Sequence, residues 1–196
     1  MLGIDLLPVL LYLVQPKKSK FGKTLFLFVL ASAFTQWVSY GIVVMGYSNL
    51  WLVNFYILVE FCLLFFIYKQ LLVGSKFFHL TTILFFVLLG VYVIEFNLDT
   101  LMYYSMILHQ CVFIFFSVLV FLTQLKSSHE QNKEYKGYLY FNSSILLYFL
   151  STIILFINYN KLNSSNIEIW NLHNMFEILF KLLITYSIWH LPKTSH

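Results

Sequence analysis

Seven apolar stretches separated by clusters of lysine, glycine and asparagine run the length of the chain: Leu2 to Val14, Thr24 to Gly46, Leu50 to Val73, Phe77 to Ile94, Leu101 to Gln124, Tyr138 to Asn158 and Trp170 to His190. All but the first reach the ~17–25 residues that a helix needs to cross the hydrocarbon core of a bilayer. Lipid offers backbone amides and carbonyls no hydrogen-bonding partner, so apolar runs of this length fold as helices. The pattern predicts an all-α, polytopic transmembrane helix bundle forming a single domain over residues 1–196. The first stretch is short and holds Asp5 and Pro8. Seven spans are expected, or six if that stretch crosses only partway.

Composition agrees with the pattern. Only 10% of residues are charged against 60% hydrophobic and 20% aromatic, and a soluble domain, at about 25% charged, covers its surface with far more. The lipid bilayer is therefore the first partner expected. Lys17 to Lys23, the apolar run that follows and Ala31, Ser32, Ala33 imitate a cleavable signal, but the run continues well past that point, so an uncleaved span is the better reading. All 12 basic residues are lysine. Base and phosphate readout leans on the bidentate fork of arginine, so no direct nucleic-acid binding is expected. Cys62 and Cys111 sit inside apolar runs and read as small core residues rather than a disulfide.

The lysines instead set a topology. Lys17, Lys18, Lys20 and Lys23 follow the first span, Lys69 and Lys76 the third, Lys126, Lys133 and Lys136 the fifth, and Lys193 the seventh; only Lys161 falls on the other side. The positive-inside rule then puts the N-terminus outside and the C-terminus in the cytoplasm. The longest loop, Leu125 to Gly137, faces the cytoplasm and reads as a solvated turn.

Against this apolar background a few polar residues stand out. In the last span Trp170, Asn174, Glu177, Lys181 and Thr185 recur every three or four residues and share one helical stripe, with His173 at its edge. Leu172, Met175, Ile178, Leu179, Leu182 and Leu183 fall on the remaining faces, toward lipid or apolar neighbours. A charge at mid-membrane costs on the order of 2.5–3.5 kcal/mol on insertion scales, so Glu177 and Lys181 require partners. At ~1.5 Å per residue, Glu60, Gln36 and Lys181 lie roughly 15 Å from the outer ends of their spans, and His109 roughly 12 Å. Asn54 and Tyr56 share this outer half. The expected site is a buried polar layer, open to the outside, of Glu60, Glu177, Lys181, His109, His173, Asn54, Asn174 and Gln36. In it Lys181 is shared between Glu60 and Glu177, with Trp37 deep enough to line the pocket. A ligand pocket or ion pathway and a purely structural polar core both account for such a layer.

Spacing argues against other chemistry. No HxxxH, ExxH or CxxC supports a metal site, and no GxSxG or other catalytic signature supports an enzyme. Neither a metal nor another cofactor is expected.

In plan and in its Phe/Tyr/Asn/Lys-rich, arginine-free composition, the chain resembles the small multi-pass accessory proteins of type VI-B CRISPR systems, which accompany an RNA-targeting effector nuclease. It also resembles uncharacterised bacterial seven-span proteins, through an N-x-Y-x-x-x-E-F third span at Asn54, Tyr56, Glu60 and Phe61 and an H-N pair at His173 and Asn174. The first resemblance implies a non-enzymatic regulator of antiviral interference in the bacterial inner (cytoplasmic) membrane. Its partner would be the effector nuclease or a membrane complex, with a homo-oligomer as a further arrangement. A small transporter or channel for an ion, proton or solute, and a structural membrane-complex subunit, are the alternative readings.

Overall fold

The computed structural model describes residues 2–15, 19–73, 77–98, 100, 102–126, 133–157 and 167–191. These form seven helices: α1 (Leu2–Val14), α2 (Lys20–Val44), α3 (Leu50–Leu71), α4 (Phe78–Glu95), α5 (Tyr103–Lys126), α6 (Lys133–Ile157) and α7 (Ile167–Trp189). Five of them, α2 to α6, are long and apolar enough to cross a membrane, while α1 is a shorter apolar helix. The outward faces are themselves apolar: Phe34, Val44, Ile83, Phe86 and Val93 are all more than half exposed. Helices that are hydrophobic on every face belong in lipid, and the chain is a membrane protein.

Local chemistry sets the helix ends. Ser19 caps α2, its hydroxyl accepting from the Gly22 amide at 3.1 Å. At the other end Gly46 takes a φ of +81°, the left-handed conformation that glycine adopts freely. There the Gly46 and Tyr47 amides close back on the Val43 and Ile42 carbonyls. The first turn of α5 is capped from α4: the Glu95 carboxylate accepts from the Tyr104 amide at 2.9 Å and the Ser105 amide at 2.5 Å, where a negative charge also suits the helix dipole.

Each helix packs on its neighbours in sequence, and α7 packs back on α1, so the helices close into a ring, with α3 also touching α5. This ring puts the short α1 between α2 and α7, with Asp5 facing inward at 4% exposure. Near the α6–α7 contact the chains approach closely. Ser187 donates to the Gly137 carbonyl at 2.7 Å, and a Cβ at Gly137 would meet the His190 carbonyl oxygen at 3.1 Å.

One end of the bundle, built by the C-terminal halves of α3 and α5 and the N-terminal half of α6, is closed by a neutral hydrogen-bonded hub. Tyr68 Oη lies 2.5 Å from Ser117 Oγ and donates to Asn142 Oδ1 at 3.0 Å, while Asn142 Nδ2 donates to the Ser117 carbonyl at 2.9 Å. All three residues are fully buried, among Phe113, Phe116 and Phe141.

Candidate functional site

The opposite half of the bundle is organised around charge. On α7 Glu177 and Lys181 lie one turn apart, while Leu172, Met175, Leu179 and Leu182 of the same helix are exposed on its outer faces. The polar stripe thus points inward, as the periodicity predicts. Lys181 does not bridge Glu60 and Glu177. It reaches α1 instead, where its Nζ lies 3.3 Å from Asp5 Oδ1, and it donates to Ser32 Oγ of α2 at 2.8 Å. The expected sharing is corrected by the ring: α1 sits against both α2 and α7, which brings a carboxylate and a hydroxyl to the ammonium together.

With Lys181 committed to Asp5, the two glutamates are held by neutral donors. Glu177 Oε1 accepts from Gln36 Nε2 at 2.5 Å, and Glu60 Oε1 accepts from the Tyr56 hydroxyl at 3.2 Å. Both line a cavity of about 160 Å³ between α2, α3, α6 and α7, together with Gln36, Tyr56, Tyr148 and Lys181. Three carboxylates therefore surround this region against one ammonium. The volume lies below the ~300–1,000 Å³ of sites for drug-sized ligands, so the cavity suits a small solute.

The remaining expected residues separate into different roles. Asn54 is fully buried but holds the α4–α5 connection, donating to the Asn97 and Thr100 carbonyls at 2.6 and 2.7 Å. This connection, and not the cavity, is where its amide is used. His109 lies beyond α3 from the cavity, 2.6 Å from the Tyr92 hydroxyl through Nδ1 and enclosed by the rings of Phe61, Phe113 and Phe149. No hydrogen bond or ion pair joins it to Lys181. Asn174 is half-buried and does not line the cavity. The side chain of His173 lies outside the described residues. Trp37 is 44% exposed and faces outward, a correction to its expected place in the pocket wall. Cys111 is likewise exposed on the outer face of α5 rather than in the core; Cys62 is half-buried, and both are free thiols.

Asp5, Tyr148 and Gln110 are the residues that sequence reasoning passed over. For Asp5 the signal was present, since a carboxylate in an apolar helix is as costly as one in α7. Among the described residues no group of three or more His, Cys, Asp or Glu side chains converges as a metal site would require. No protein-family model, curated protein or solved structure matches this chain.

Proposed function

We propose that this protein is a non-enzymatic, seven-span regulator whose acidic cavity binds a small cation, either an inorganic monovalent ion or a protonated amine. The observation that carries this reading is the ion pair of Lys181 with Asp5, which leaves Glu60 and Glu177 hydrogen-bonded to neutral side chains in a cavity where two carboxylates face one ammonium already paired elsewhere. A cation there would be met by two carboxylates and by the rings of Tyr56, Tyr148 and Phe180, which line the same space and attract positive charge through their faces. The lysine bias supports a topology in which the cavity opens outside and the Tyr68 hub closes the cytoplasmic half. A site reached from one side suits sensing better than passage. The output would be a change in ring packing read by a partner in or at the membrane, and the whole-chain resemblance supports an RNA-targeting effector as that partner.

The test is a thermal-unfolding series of the full chain in lipid nanodiscs with the chlorides of sodium, potassium, ammonium and methylammonium at constant ionic strength. A bound cation stabilises the folded state by RT ln(1 + [L]/Kd), about 2.7 kcal/mol at a hundredfold excess over Kd. The expected result is a saturable rise in Tm with at least one cation, absent in Glu177→Gln. Identical curves in all four salts would sink the reading. Cation flux into proteoliposomes, abolished by Glu60→Gln, would move the assignment from regulator to transporter.

A further inference from the structure

Glu60 borders a second, much smaller void of about 20 Å³, walled by Ile57 of α3, by Met106, His109 and Gln110 of α5 and by Phe149 of α6. Two polar atoms of its walls, His109 Nε2 and Gln110 Oε1, are buried without a hydrogen-bond partner among the described residues. His109 is 2% exposed and Gln110 4%. Leaving a buried donor or acceptor unpaired forfeits its hydration with nothing in return, so two such atoms on the walls of one void require an explanation. A buried water needs at least about 10–15 Å³ for its centre and makes about three hydrogen bonds. The void offers both the volume and three partners: the Glu60 carboxylate, His109 Nε2 and Gln110 Oε1. A metal ion would find a single carboxylate and a single imidazole there.

We propose that this niche binds one water molecule that joins Glu60 to His109, so that the charge on Glu60 decides which imidazole nitrogen carries the proton. With Glu60 ionised, the carboxylate and Gln110 Oε1 both only accept. The water gives one hydrogen to each, and its oxygen accepts from Nε2–H. Nδ1 then accepts from the Tyr92 hydroxyl, 2.6 Å away. With Glu60 protonated, the acid donates to the water oxygen, and the two water hydrogens go to Gln110 Oε1 and to a bare Nε2. The imidazole proton then sits on Nδ1 and is given to the Tyr92 oxygen. The second arrangement holds one proton more than the first, taken from the cavity side and resident on Glu60. The imidazole keeps one proton throughout, and nothing is oxidised or reduced. Tyr56, Tyr148, Glu177 and Lys181 line the larger cavity with Glu60, and Asp5 stands behind Lys181. The switch therefore carries the state of this charged half to Tyr92 on α4, a helix with no residue in the larger cavity's wall. It goes beyond the cation reading, because it needs only the niche and not the occupant of the larger cavity.

The test is nitrogen-15 NMR of the histidine-labelled full chain in lipid nanodiscs, with the His109 signals identified by their loss in His109→Gln. The expected result is magnetisation transfer from water to the His109 ring in the wild type, lost in Gln110→Met. In Glu60→Gln, whose amide can donate to the water, the protonated nitrogen should change from Nε2 to Nδ1. Absence of water contact in the wild type, or the same protonated nitrogen in both proteins, overturns the proposal. If Glu60→Gln yields no folded protein, the wild-type transfer and its loss in Gln110→Met decide. Failure of every cation to raise Tm alongside an intact water contact would remove the cavity reading and leave this one standing.

Discussion

Tyr56 and Tyr68 belong to one helix, yet they sit in halves of the bundle built on opposite rules. Tyr68 enters a neutral hub with Ser117 and Asn142 in which each buried side chain finds a partner. Tyr56 faces a cavity in which its hydroxyl holds one of two glutamates that form no salt bridge among the described residues. Hydrogen-bonded neutral groups make a dry, specific joint between α3, α5 and α6, as any membrane bundle needs. Carboxylates held only by neutral donors stabilise nothing by themselves. On the cation reading, their presence marks the half in which charge serves a purpose other than folding.

The largest effect should come from the ion pair between Lys181 and Asp5. Asp5→Ala leaves the Lys181 ammonium buried without its carboxylate, and removing one member of a buried pair costs about 3–5 kcal/mol. Replacing both, as Asp5→Leu with Lys181→Met, removes the charges together and should recover most of that loss, since buried pairs are often no more stable than apolar residues of similar volume. Thermal unfolding of the three proteins in one detergent checks this. If Asp5→Ala unfolds as the wild type does, Lys181 has turned to Glu177, and the glutamates lose their special status.

Next in size is the hub. Tyr68→Phe strips a partner from both Ser117 Oγ and Asn142 Oδ1, at about 1–3 kcal/mol for buried polar atoms left unpaired. Cation-dependent shifts in Tm should survive it, because no hub residue lines the cavity. Loss of those shifts with stability unchanged would invert the comparison. A smaller effect, on the order of 1 kcal/mol per hydrogen bond lost, is expected for Asn54→Ala. The carbonyls it frees belong to the α4–α5 connection, where water can replace the amide. Faster amide exchange confined to residues 96–106 is the measurement that identifies it.

How much of this was legible in the sequence follows from what each feature depends on. Helix existence depends on lipid solvation alone, so the seven apolar stretches map onto seven helices. The ends shift where hydropathy and hydrogen bonding part company. Charged turns extend α2 back to Lys20, α6 to Lys133 and α7 to Ile167, since lysine and, in the turn before Trp170, glutamate continue a helix readily. The inward face of α7 was legible because its charges and leucines alternate at helical spacing. The partner of Lys181 was not, because depth along a helix says nothing of rotation or neighbour order. Asp5 was visible as a charge, but the shortness of its helix drew attention from it. Residue counting puts His109 near the level of the charged layer, yet α3 places Phe61 beside its ring and Glu60 on the walls of both voids.

The smallest effect on stability should be the most informative. Glu177→Gln preserves shape and keeps an acceptor for Gln36 Nε2, but it removes a carboxylate that forms no salt bridge among the described residues. Desolvating a carboxylate penalises the folded state and desolvating an amide penalises it less, so the sign of the change is zero or stabilising. A shift within about 0.5 kcal/mol, typical of substitutions that disturb neither packing nor a paired charge, is expected in salt-matched buffer without the bound cation. The same variant should lose the saturable rise in Tm. A destabilisation of several kcal/mol would show instead that Glu177 shares Lys181 with Asp5, and the acidic half would then be built on the same rule as the hub: every group paired, and the cavity only a gap between them.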